Sequence, residues 1–232
     1  MAKTNNYLIC ILAVVACLFG DALGSKQIDS GLRLSDFHLA NKQLTDSEIP
    51  LAIDILVRES RSLIGVKEVG NNRGYIIDAM NRLSGVPVGS PWCASAQYYI
   101  DHTSIICRTT VKSAYVPSWG NSRSPLIVVW DQRWKSKGKR PFIKAGCKFT
   151  VYFPSMKREA HIGLVDEVSA DSVDFYTGEG NTSTVAPLGS PQDRNGTVYA
   201  RKKRRVDSVR KILCPCELLT VAEKARFIPK KK

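Results

Sequence analysis

The chain has 232 residues, 44% of them apolar and 24% charged. That excludes a chain too short or too polar to bury a sizeable core, and one domain with tails is expected. The formal charge of +13 favours anionic partners, whether nucleic acid, anionic lipid or an acidic polymer, without choosing among them.

The first residues narrow that choice. Lys3 precedes an apolar run from Tyr7 to Phe19, and Ala22-Leu23-Gly24 follows. A positive start, a short apolar stretch and small residues make a secretory signal over 1–24, cleaved after Gly24. The run falls short of the roughly 20 apolar residues that a spanning helix needs. Val14-Val15-Ala16-Cys17 also has the form of a lipoprotein box, with Cys17 as an anchor, although apolar residues continue beyond it. A buried N-terminal helix is the plainer alternative. Removing 1–24 takes away Lys3 and Asp21, so the mature charge stays at +13. A secreted or periplasmic protein of that charge meets anionic wall polymers or a membrane surface before nucleic acid.

Residues 25–44 read as a linker or arm. Helices are expected over 46–64, with Ile49, Ile53, Leu56, Leu63 and Ile64 near one face, over 74–84, and over 92–103. Gly65 and the GNNRG stretch at 70–74 separate the first two, and Gly85 to Pro91 is turn-rich. Leu126–Trp134 reads as another short helix before the basic loop KSKGKR at 135–140. The periodicity then changes to strands, at Lys148–Phe153, Ala160–Val168, Ser172–Thr177, Thr197–Arg201 and Val209–Leu213. Helices followed by an antiparallel sheet make an α+β domain over 45–216, with a basic tail over 217–232.

Seven cysteines are present, and Cys93, Cys107, Cys147, Cys214 and Cys216 lie beyond the signal. An odd number in an exported chain leaves at least one free thiol or an intermolecular pair. The others read as small buried hydrophobes or as one or two structural bridges. No C-x-x-C occurs, which argues against a zinc ribbon.

Cys93 stands at the expected start of a helix, where unpaired amides and the helix dipole favour a thiolate and could receive an oxyanion. A base must then come from three histidines. His102 lies roughly half a turn out of phase on the same helix. His38 sits in the weakly patterned arm. His161 lies on an expected strand with Gly163 and Val165. If residues 169–171 form the hairpin turn, Val165 faces Phe175, Gly163 faces Thr177 and His161 faces Glu179, all on one side of the sheet. Glu179 would then orient His161, and Asn181 would lie on the same side.

These residues together resemble the CHAP family, the cysteine- and histidine-dependent amidohydrolases and peptidases of bacteria and phages. The likeness runs through KEVGNNRG at 67–74, GSPWCASAQ at 89–97, HIGLVDEV at 161–168 and GEGN at 178–181, and continues to about residue 213. It implies a papain-like fold, with the catalytic cysteine, histidine, glutamate and asparagine at Cys93, His161, Glu179 and Asn181. It also implies cleavage of a peptidoglycan amide, at muramoyl–L-alanine or within the stem or bridge peptide, without metal or cofactor, by a monomer. Two departures stand out. AGCKFTVYFPS lacks the Gly-Asp pair the family often shows before that strand, and 104–146 is long and basic.

Two other readings compete. The run Arg201-Lys202-Lys203-Arg204-Arg205 could be a nucleic-acid patch, which the leader disfavours, or an exposed strand end that holds the chain on anionic wall polymers. An inactive binding module would need none of the four site residues. Asn181-Thr182-Ser183 and Asn195-Gly196-Thr197 match glycosylation acceptors, relevant in a eukaryotic secretory host alone.

Overall fold

The computed structural model describes residues 44–104, 110–139, 141–185, 190 and 193–228. Residues 1–43, where the leader, the Cys17 box and the arm with His38 are expected, and Cys107 lie outside the described residues.

Three helices come first. Helix α1 spans Ile49–Ser62, with a proline in its first turn, and buries Ile49, Ala52, Leu56, Val57 and Ser60 at helical spacing. Helix α2 spans Tyr75–Leu83 and follows Gly74, whose φ of 149° suits glycine alone. Helix α3 spans Cys93–Thr103 and buries every residue from Cys93 to Asp101 except Tyr99. Its near-complete burial, polar residues included, fits its place against α1, α2 and the sheet.

Six strands form one antiparallel sheet. They are β1 (Ile127–Asp131), β2 (Lys148–Phe153), β3 (Arg158–Val168), β4 (Asp174–Thr182), β5 (Val198–Arg205) and β6 (Lys211–Cys214), in the spatial order β1-β6-β2-β3-β4-β5. The chain is therefore α+β. One core cluster gathers Trp130, Phe149, Val151, Phe175 and Ile212; another joins Cys93, Ala94 and Tyr98 to Trp119, Ile162 and Leu213. The second cluster fastens the start of α3 to the sheet. A buried ion pair, Lys148 Nζ to Asp101 Oδ1 at 2.6 Å, fastens its other end to β2.

Three expectations are corrected. Leu126–Trp134 is edge strand β1 followed by a 3-10 turn over Gln132–Lys137, because the apolar run is short and Asp131 caps the turn by accepting from the Arg133 amide. The segment after Cys216 is no simple tail. Leu218 and Leu219 are fully buried, and helix α4 (Val221–Phe227) follows, started by a Thr220–Glu223 capping box.

The basic run Arg201–Arg205 is not a free cationic patch. It lies within β5, and each member meets a carboxylate: Arg201 with Asp166 and Glu167, Lys202 with Asp193, Lys203 with Asp174, Arg204 with Glu179 and Asp193, and Arg205 with Asp207. Arg201, Lys203 and Arg205 stay exposed, as expected of a strand end, while Arg204 turns inward.

Of the cysteines, Cys147 and Cys214 form a disulfide that ties the start of β2 to the end of β6, while Cys93 and Cys216 are free. Among the described residues, no helix is long and apolar enough to cross a membrane.

Candidate active site

Helix α3 opens at Cys93, with Trp92 as its N-cap residue and no side-chain cap. The first-turn amides therefore have no partner from a capping side chain. Cys93 is 4% exposed. That small exposure is on a cleft of about 330 Å³ whose walls include Pro91, Tyr115, Val116, Arg158 and Arg194. A second cleft, beside Asp174, Lys203 and Arg205, contains none of the expected site residues.

His161 and Glu179 are both fully buried, and His161 Nε2 lies 2.7 Å from Glu179 Oε2. The expected contact is present, but the register beneath it differs. Val165 pairs with Thr177 rather than Phe175, and Leu164 with Gly178. The hairpin connection runs over 169–173, longer than a 169–171 turn. A bulge between Val165 and Glu167 shifts the ladder again near the turn. Beyond the bulge the net slip is two residues, which preserves the face each side chain takes. Glu179 thus reaches His161 along the diagonal, a distance a long side chain can span.

Gly163 makes that diagonal passable. A Cβ there would stand 2.7 Å from the Phe149 ring and 2.8 Å from Glu179 Cγ. Gly163→Ala is therefore expected to cost about 1–3 kcal/mol of stability, as overpacking does, and to move Glu179 off the imidazole. Urea unfolding and the titration of the His161 ring measure the two effects; a variant matching wild type in both contradicts this role.

The electrostatics of the pair are set by neighbours. Burial opposes charge on the Glu179 carboxyl, yet Arg204 and His161 outweigh it and hold the group well below the usual carboxylate range. Arg204 Nε donates to Glu179 Oε1 at 2.6 Å, and its Nη2 donates to Glu179 Oε2. The same guanidinium donates to Asp193 Oδ1 and Oδ2 at 3.0 and 3.1 Å. Thr177 Oγ1 donates to Glu179 Oε1 at 2.6 Å. Burial also works against an imidazolium at His161. Interaction with the Cys93 thiol and with Glu179 outweighs it and raises the ring's pKa to about 9. Nδ1 has no hydrogen bond of ordinary geometry; Nε2 is taken by the carboxylate.

Cys93, His161 and Glu179 are thus brought together. The Asn181 side chain is not part of that contact. Its φ is 55°, and its Nδ2 donates to Glu68 Oε1 (3.0 Å), Asn72 Oδ1 (2.9 Å) and the Gly196 carbonyl (3.0 Å). Glu68 Oε1 also accepts from Trp92 Nε1 at 2.8 Å. Asn181 therefore helps to fix the residue before Cys93 and makes no hydrogen bond to the imidazole. It is also fully buried, so no glycan fits at its acceptor triplet; Asn195 is exposed. His102 is exposed and packs its ring against Tyr98.

Two site residues escape sequence reasoning. Arg204 is masked by its basic run. Glu68 carries a weak signal, its place in the KEVGNNRG stretch. No group of three or more potential metal ligands occurs among the described residues. In comparison with known proteins, no family model, no curated protein and no solved structure matches the chain.

Proposed function

We propose that the chain is an exported cysteine amidohydrolase or peptidase that acts on peptidoglycan, on a papain-like plan of helices packed against an antiparallel sheet. The observation that carries this reading is the buried line Arg204–Glu179–His161, which ends beside a thiol that opens on a cleft. A buried imidazole held by a buried carboxylate next to a cysteine at a helix start is the arrangement of nucleophile, base and orienter. The apolar leader and the Cys147–Cys214 disulfide fit an oxidising compartment outside the cytoplasm.

In this mechanism the Cys93 proton passes to His161, and the thiolate attacks the amide carbonyl. A C–S bond forms, and the oxyanion meets the first-turn amides of α3. The C–N bond breaks as the His161 imidazolium gives its proton to the leaving amine. Water then adds, losing a proton to His161, and the C–S bond breaks. One water is consumed and the thiol is restored. Glu179 and Arg204 position the ring and its charge and touch no substrate.

Incubation of purified sacculi with wild type and with Cys93→Ala, followed by mass analysis of the released fragments, tests the proposal. New amine and carboxyl ends from wild type alone are the expected result, and their masses name the bond. Intact sacculi with wild type contradict the substrate assignment.

A further inference from the structure

We propose that the cleft at Cys93 is an anion-selective subsite, in which Arg158 and Arg194 receive a carboxylate on the peptide chain next to the amide to be cut. The choice of amide substrate rests on the function proposed above; the charge preference rests on the cleft itself.

Both arginines line the same cleft as Cys93. Arg158 opens β3, and Arg194 precedes β5. Their donors meet backbone carbonyls instead of carboxylates: Arg158 Nη1 to the Glu159 carbonyl at 3.2 Å, and Arg194 Nε to the Ala160 carbonyl at 3.4 Å. Each guanidinium carries five N–H donors, so most of that capacity remains unspent. Neither arginine forms an ion pair among the described residues, unlike Arg61, Arg73, Arg133, Arg201, Arg204 and Arg205; Arg82, Arg123, Arg210 and Arg226 form none either, but they do not line this cleft. The nearby carboxylates form their ion pairs with other cations, although Glu159 Oε2 has no hydrogen bond. Glu159 pairs with Lys211 at 2.8 Å, and Asp193 with Lys202 and Arg204.

The two cations are also held in place. Arg158 lies over the Tyr115 ring at 5.2 Å, and Arg194 over Phe153 at 6.0 Å. A pair of stacked, partly buried guanidiniums without counter-ions, on the wall of a cleft with a nucleophile, matches a planar carboxylate. Neutral amide chains gain nothing from it.

Alkylation of Cys93 separates this charge preference from turnover. Iodoacetate and iodoacetamide deliver the same carbon to the thiolate, which displaces iodide in both; one reagent carries a carboxylate and the other an amide. The rate of each is read by mass at the Cys93 peptide. In the double variant Arg158→Gln/Arg194→Gln, the iodoacetate to iodoacetamide rate ratio is expected to fall on the order of tenfold or more; a change in the thiolate itself alters both rates alike and cancels in the ratio. Arg158→Lys/Arg194→Lys, which keeps both charges, is expected to hold most of the ratio.

A ratio unchanged in the glutamine variant overturns the subsite, as does an equal fall in both rates. If the ratio falls while wild type leaves sacculi intact, the anion subsite stands and the peptidoglycan reading fails. If sacculi are cut and the ratio does not move, the reverse holds.

Discussion

Arg204→Met is expected to lower the unfolding free energy by about 3–5 kcal/mol, as loss of one partner from a buried ion pair does. Arg204 is 3% exposed, and the groups it serves, Glu179 and Asp193, are fully buried. Methionine fills similar space and supplies no charge, so both carboxylates lose their common donor. Arg204→Lys keeps the charge but cannot fork to two carboxylates at once, and should recover part of the loss. The urea midpoint of the three proteins measures it. A methionine variant within 1 kcal/mol of wild type would show that the arginine is not what stabilises the pair.

The second large effect belongs to Glu179→Gln. The amide keeps the shape and removes the charge that, together with the Cys93 thiol, raises the His161 pKa to about 9 against the pull of burial. The ring should then titrate below the ordinary value of 6.5. In the proposed mechanism turnover should fall on the order of 10²-fold or more, since the imidazolium that forms on taking the Cys93 proton, and that later protonates the leaving amine, loses its counter-charge.

Stability follows with a definite sign. His161 has a raised pKa, so its contribution is whole below 6.5 and is lost as pH rises through about 9. Glu179 has a lowered pKa, so its contribution is whole above the ordinary 4.5 and is lost as pH falls below that. The gap between wild type and variant should be widest between pH 4.5 and 6.5 and should narrow toward pH 9. Nitrogen NMR of the His161 ring and urea titrations across this range measure both effects. A ring that still titrates near 9 in the variant contradicts the assignment of the shift to Glu179.

Much of this site can be read from sequence, for physical reasons. Cys93 is placed by the turn-rich Gly85–Pro91 stretch ahead of a helical period. The His161–Glu179 contact survives an error in the turn because side chains in a strand alternate. A slip of two residues changes the partner and keeps the face.

Three features are hidden. Arg204 lies in a run of five basic residues that looks like a solvated surface until pairing in β5 shows which of them turn inward. Asn181 shares the strand with Glu179, but a positive φ takes its side chain into the Glu68–Asn72 network, a local backbone departure that strand alternation does not foresee. Ile127–Asp131 is too short to separate strand from helix by period alone. Reading 217–232 as a basic tail passes over α4, because the basic residues that follow Thr220-Val221-Ala222-Glu223 obscure its capping-box spacing.

The central claim is that Cys93 carries the acyl group. Acid quench of wild type mixed with sacculus fragments, followed by peptide mass analysis, tests it most directly. The predicted result is a fragment-sized adduct on the Cys93 peptide in wild type and none in Cys93→Ala, which also releases no product. Release of the same products by Cys93→Ala, with no adduct in wild type, would contradict the claim.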